Sequence, residues 1–333
     1  MYVMKENRQR TLLLLWAILA LALALVSTVL CFLSVYVPGV FRFPHPTEPG
    51  LVRVTPAPTP EPTPEPTPEP TWQERFAEHF TDAVMQGETG YRSPTLSVTL
   101  QAFENTEAHP ELSYYVADIY LTDIRQLCAA FSLEGEDYSS ARRILRHAGG
   151  VLGTNGDTLI NQTWGFVARN GEVYSTVEPL YDVCVLYTDG RMETFPPFSY
   201  SGQALADTGT LWQVWQFGPM LLDAEGRPLS EFNTPEGLRS PHPRTAIGYF
   251  EPGHYCLVVV DGRNPPHSDG ADIATLAQLM AELGCRTAYN LDGGAMSLMV
   301  YNNQYVNTPV GDHLVSDMVI VRELSEEERS SEP

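Results

Sequence analysis

Four short segments of this chain set carboxylates, arginines and asparagines beside a glycine or a turn, at the edges of apolar runs. They are Thr154-Asn155-Gly156-Asp157, Arg244-Thr245-Ala246-Ile247-Gly248, Asp261-Gly262-Arg263 and the stretch from Asn290 to Ser297, which contains Asp292-Gly293-Gly294. The last is the most telling. A carboxylate stands where an apolar run stops, and two glycines remove side-chain bulk beside it, so a ligand could approach the main chain closely. A carboxylate in that position is where an α/β enzyme often places a reactive group. The competing reading of Asp-Gly is a tight hairpin turn. Asn-Gly-Asp and Asp-Gly-Arg, taken singly, also read most simply as turns.

These segments need strands and helices to position them. Ser97 to Leu100 alternates, Tyr114 to Leu121 is rich in aromatic and β-branched residues, and Val151 to Asn155 is strand-like. Leu127, Ala130 and Phe131 suggest a short helix after Thr122, and Ser139 to His147 a second one stopped by Gly149-Gly150. Two hairpins follow, turning at Asn170-Gly171 and Asp189-Gly190, dipeptides that two-residue hairpin loops prefer. Arg244 to Phe250 and Tyr255 to Val260 read as paired strands. In Asp272 to Leu283 the residues Ile273, Leu276, Ala277, Met280 and Leu283 recur at helical spacing, with Gly284 as a stop. Strands Thr287 to Leu291, Ser297 to Tyr301 and Val315 to Val321 close the pattern. The expectation is one α+β domain over 72–322, with a mixed sheet and flanking helices.

Ahead of that domain the chain reads as an address. Residues 1–10 carry Lys5, Arg8 and Arg10, and segment 11–37 is an uncharged apolar run. It is longer than the roughly 20 residues needed to cross a bilayer. The basic flank keeps its N-terminal side in the cytoplasm, so the rest of the chain faces outward from a single-pass plasma-membrane anchor. A cleaved signal peptide is the alternative, but no clear cleavage site follows the run. Residues 38–71, with the repeat Thr-Pro-Glu-Pro, lack the apolar content for a core and read as a semi-rigid stalk. Residues 323–333 are an acidic polar tail.

The net charge is −21 and Lys5 is the only lysine. With no basic stripe to displace counterions, nucleic-acid binding is excluded. Beyond Cys31 in the apolar run, Cys128, Cys184, Cys256 and Cys285 permit two disulfides but serve equally well as buried thiols. Their spacing matches no zinc motif.

The four segments, in this order and spacing, resemble the phosphodiester glycosidase family. The similarity runs from about Tyr114 to Val321. Tyr115 to Tyr120 is similar to the family's opening strand, Gly165 to Gly171 to its hairpin, and Asn307 to Pro309 with Ser316-Asp317 to its closing segment. Two departures stand out. Thr158 and Leu159 replace an aromatic pair after Asn-Gly-Asp, and Ala295, Met296 and Ser297 replace Gly-Ser-Ser after the double glycine. The sugar-contacting wall, and with it the substrate, is expected to differ.

The resemblance implies a hydrolase that cleaves a sugar from a glycosyl-1-phosphodiester, such as an N-acetylglucosamine-1-phosphodiester, in an envelope glycan or exopolysaccharide. The chemistry of the residues agrees. Arg244 and Arg263 can clamp the anionic leaving group with their planar guanidinium forks. Asp157, Asp261 and Asp292 can face an oxocarbenium-like transition state, activate water or attack the sugar carbon. Asn155, Gly156, Thr245, Asn290, Gly293, Gly294 and Ser297 are substrate-binding candidates, although turn-forming backbone contacts are the plainer role for Asn155. No cofactor is certain from the sequence; an oxygen-rich cluster of aspartates could hold a divalent cation such as calcium, although no loop of calcium-ligand spacing accompanies it. His242, His267 and His313 lie near these segments. The competing functions are a non-catalytic module that binds sugar-phosphate polymers, and a metal-dependent phosphodiesterase that cuts the P–O bond.

Overall fold

The computed structural model describes residues 70–330 except 108, 110, 158–164 and 312. The tail 1–10, the apolar segment 11–37 and nearly all of the stalk lie outside the described residues. Among the described residues no helix is long and apolar enough to cross a membrane.

The longest helix shows how local sequence rules act here. Asp272 caps Ile273–Glu282, its carboxylate accepting from the Thr275 N–H at 2.7 Å. Ile273, Leu276, Ala277 and Met280 lie buried on one face. Gly284, at φ +87°, supplies the left-handed turn that ends the helix.

That helix packs on one face of a central sheet. In order across the sheet its strands are Met85–Gln86, Gly90–Arg92, Leu96–Glu104, Ser113–Leu121, His254–Val260, Arg244–Glu251 and Thr287–Asn290. Val116, Val258 and Val260 meet the helix, while Ala117, Ile119, Leu257 and Val259 face the opposite core. Burial on both faces is why these strands read as continuous apolar runs. The opposite core is shared with two five-stranded sheets. The second sheet runs Gln304–Tyr305, Met299–Tyr301, Gly150–Asn155, Asp317–Arg322, Leu127–Phe131. The third runs Met192–Phe195, Val183–Tyr187, Leu211–Trp215, Phe166–Arg169, Glu172–Thr176. Leu152, Met299 and Val319 of the second and Cys184, Leu186 and Trp215 of the third join one cluster with the central sheet.

Where one mixed sheet with flanking helices is expected, three larger sheets form, and their neighbouring strands run antiparallel. The helical share is small, and the α+β class holds in that coarser sense. Short connections join antiparallel neighbours, whereas parallel pairs need long crossovers; periodicity alone cannot name a strand's partner.

Two local expectations are corrected. The helix expected around Leu127 to Phe131 is a strand. Asp123 and Gln126 cap a single 3₁₀ turn, Ile124–Gln126, after which Leu127–Phe131 pairs with Asp317–Arg322. The hairpin at Asn170-Gly171 has both residues at positive φ, as a two-residue loop requires, but at Asp189-Gly190 only Gly190 does, in a wider loop. Residues 72–92 form the short helix Trp72–Arg75, one 3₁₀ turn and two short strands.

All four described cysteines are buried free thiols. Cys256 and Cys285 approach to 3.6 Å between sulfurs. Burial pushes the Cys184 thiol well above its usual range, which removes it as a nucleophile at neutral pH.

Candidate active site

The ends of the central and second sheets meet at Asn155, the last residue of its strand. Its Nδ2 donates to the Asp292 carbonyl at 2.7 Å, and its Oδ1 accepts from Thr245 Oγ1 at 2.7 Å and from the Leu298 N–H at 3.2 Å. One buried amide therefore joins three of the four motif segments. Asn155 is a scaffold side chain, and Thr245 spends its hydroxyl on it.

Asn155, Gly156 and Asp292 line a narrow cleft together with Tyr138, Met296 and Asp317. Asp292 is half-buried, and its Oδ1 accepts from the Gly293 N–H at 2.7 Å. Gly293 and Gly294 are needed for close approach. A side chain at Gly293 would meet the Pro243 carbonyl at 2.9 Å, and one at Gly294, which sits at φ +66°, would meet Arg263 Nη2 at 3.0 Å.

The two arginines lie beside this turn in different states. Arg244 is buried; its Nε donates to the Ala271 carbonyl at 2.9 Å and its Nη2 to the carbonyls of Leu238 at 2.5 Å and Ser240 at 2.8 Å. Among the described residues Nη1 has no hydrogen bond. Burial pulls the guanidinium down to about 10; Asp272 draws it back and the nearby Arg263 lowers it further. Arg244 remains a cation at neutral pH, but the bidentate fork expected of it is half committed to the backbone. Arg263 is exposed, with its Nη2 over Gly294 and 3.4 Å from His242 Nδ1. Its own backbone stands at φ +57°, a conformation that costs a non-glycine residue about 1–2 kcal/mol. Strain of this kind is concentrated where a side chain must be aimed.

Asp157 and Asp261, expected as catalytic candidates, lie outside that cleft, each with its carboxylate engaged by donors of the protein. Asp157 is fully buried, paired with Arg169 of the third sheet, and accepts from the Gln216 N–H at 2.9 Å. Asp261 accepts from Asn307 Nδ2 at 2.9 Å, from the Thr308 N–H at 3.0 Å, and lies 3.0 Å from His267 Nε2. It ties the 262–268 loop to the closing segment. The physical reason is coordination: a buried carboxylate whose oxygens are filled by fixed donors is a brace.

Asn290 donates from Nδ2 to the Gly218 carbonyl at 2.7 Å. Its Oδ1, and the Ser297 hydroxyl, are buried without a hydrogen-bond partner among the described residues. Unsatisfied polar atoms of this kind are uncommon in folded proteins. The His313 ring packs at a tilt against Tyr305, with ring centroids 4.4 Å apart. Among the described residues no group of three or more His, Cys, Asp and Glu side chains is arranged to hold a metal, so the calcium expectation finds no donor set there.

Three residues escaped the sequence reading as site members. Asp317 and Asn307 had appeared only within the closing segment, and Arg169 only as a hairpin strand residue. A lone buried arginine at a strand end was the one signal available for Arg169.

The model of the phosphodiester glycosidase family matches residues 143–322. The SPbeta prophage-derived uncharacterized protein YomE of Bacillus subtilis strain 168 is 29% identical over 158 residues, which are 46% of this chain and 23% of that protein. The chain thus spans about a quarter of that relative's length. Among solved structures, the zebrafish N-acetylglucosamine-1-phosphodiester alpha-N-acetylglucosaminidase catalytic domain, auto-inhibited by its pro-peptide, superposes with a TM-score of 0.55 at 16% identity. That likeness covers 73% of this chain and 87% of the other, and it is a likeness of fold.

Proposed function

Since the chain belongs to the phosphodiester glycosidase family and is a hydrolase of that kind, we propose that it cleaves the sugar C–O bond of a glycosyl-1-phosphodiester in an envelope glycan or exopolysaccharide. The observation that carries this reading is the pairing of Arg263 and Arg244 with the Asp292 turn. Arg263 over Gly294, with the Arg244 guanidinium near Arg263, next to the turn that carries the half-buried Asp292, suits a substrate with an anionic leaving group next to a carbon that turns positive. The phosphate oxygens bind at Arg263 and at Arg244 Nη1, and the anomeric carbon lies at Asp292. Electrostatic stabilisation by such fixed groups is commonly the largest part of catalysis. Asn290, Gly293, Gly294 and Ser297 bind the sugar side.

The reading includes the chain's organisation: a cytoplasmic tail 1–10, an anchor 11–37, a stalk 38–71, the catalytic domain 72–322 facing outward, and an acidic tail 323–333. The basic flank before an uncharged apolar run supports it. Recovery of the full chain in the soluble fraction would overturn the anchor.

The test uses the full chain in detergent with an N-acetylglucosamine-1-phosphodiester in ¹⁸O-labelled water. Label in the sugar is expected. Label in the phosphate would mean P–O cleavage and overturn the reading; binding without turnover across a panel of envelope glycans would do the same. Repeating the assay with chelator shows whether a divalent cation takes part. In the same assay Arg263→Ala is expected to lower kcat/KM by about 10²–10³-fold. Its melting temperature should stay near the parent's, because an exposed side chain carries little stability. Wild-type kcat/KM in that variant would remove Arg263 from the clamp.

A further inference from the structure

We propose that Asp317 is the second carboxylate of the reaction, facing Asp292 across Gly156. The inference rests on the glycosidase reading above, but it assigns a residue outside the four motif segments. Asp317 opens the strand Asp317–Arg322, whose next residue, Met318, pairs with Asn155. Its side chain is 2% exposed and lines the same cleft as Asp292.

Gly156 is the spacer between the two. Its N–H donates to the Asp317 carbonyl at 3.0 Å, and its carbonyl accepts from the Asp292 N–H at 3.2 Å. Both aspartates are thus registered on one residue, Gly156. Any side chain at position 156 would overlap the Asp317 carboxylate, so only glycine allows this approach. The carboxylate is aimed from behind. Ser316 Oγ donates to Oδ1 at 3.2 Å, the Asp157 N–H lies 3.4 Å from Oδ2, and Arg169 Nη2 stands 3.9 Å from Oδ2. Asp157 and Arg169 together hold the Asp317 carboxylate in place.

The two carboxylates then divide the work by exposure. Water enters on the half-buried Asp292. Its oxygen bonds to the anomeric carbon, and one of its protons passes to Asp292. The C–O bond to phosphorus breaks with its electron pair leaving on the phosphate oxygen, which gives a phosphomonoester. Asp292 then returns the proton to solvent or to the product. The tethered Asp317 carboxylate stays in place and faces the positive charge that grows on the sugar.

Asp317→Asn in the full chain, assayed beside wild type on the glycosyl phosphodiester, tests this. The expected result is a fall in kcat of about 10²-fold or more, with KM within a few-fold of wild type. A variant that turns over at the wild-type rate would overturn the proposal. Absence of turnover by wild type across the substrate panel would sink the functional reading itself. Should Asp317→Asn not fold, Ser316→Ala decides. Among the described residues the charged groups beside Asp317 include Asp157 and Arg169, with Asp292 on the same cleft. Loss of a hydrogen bond to its ionised form raises the pH at which Asp317 protonates, so the acid limb of kcat should move to higher pH. An unmoved limb would show that Asp317 serves only the fold.

Discussion

Asp292→Asn is expected to lower kcat by about 10²–10⁴-fold. The folded structure should survive, because the substitution leaves its contacts in place. The Oδ1 that accepts from the Gly293 N–H at 2.7 Å has a counterpart in asparagine. The bonds that hold the turn, from Asp292 N–H to the Gly156 carbonyl and from Asn155 Nδ2 to the Asp292 carbonyl, use the main chain of residue 292. What disappears is the negative charge. A neutral amide cannot take a proton from water or stabilise a cationic sugar carbon. The check is kcat on a glycosyl phosphodiester alongside a thermal melt. Near-normal turnover in a folded variant would remove Asp292 from the chemistry, and the arginine pair would then need another carboxylate to serve.

Arg169→Met is expected to be the most destabilising single change near the site. Arg169 and Asp157 are both fully buried, and Arg169 also donates to the carbonyls of Ala168, at 2.9 Å, and Val214. Removing the cation leaves an uncompensated carboxylate in the interior, which costs about 3–5 kcal/mol. For a domain of this size that corresponds to a drop on the order of 10 °C in melting temperature. The ion pair itself need not be net stabilising, since both charges were desolvated to form it. Hence the double variant Arg169→Met with Asp157→Asn should recover part of the loss. A double-mutant cycle showing simple additivity would contradict the pairing, because residues in one network couple by about 0.5–3 kcal/mol. The same cycle bears on function: the third sheet reaches the cleft through Arg169.

Much of the fold was legible because it follows from local rules. The helix Ile273–Glu282 carries its cap, its apolar stripe and its glycine stop within a dozen residues of sequence. The Asn170-Gly171 turn demands positive φ at both positions and obtained it. The strand Leu127–Phe131 was misread because its small apolar residues suit helix and strand alike. Its partner, Asp317–Arg322, lies far away in sequence and decided the matter.

The site divides in the same way. Sequence by itself singled out the candidate segments: glycines beside carboxylates and arginines, in an order that resembles one family. It also determined that Gly293-Gly294 must pass close to other groups, since glycine alone permits that. Only the tertiary structure decided which fixed donors surround each carboxylate. Asp157 and Asp261 look no different from Asp292 in the chain, yet Arg169 holds the first, and Asn307, Thr308 and His267 surround the second. Those partners come from other sheets and loops. Whether an aspartate acts or braces depends on the donors that folding brings to its oxygens, and local sequence does not encode them.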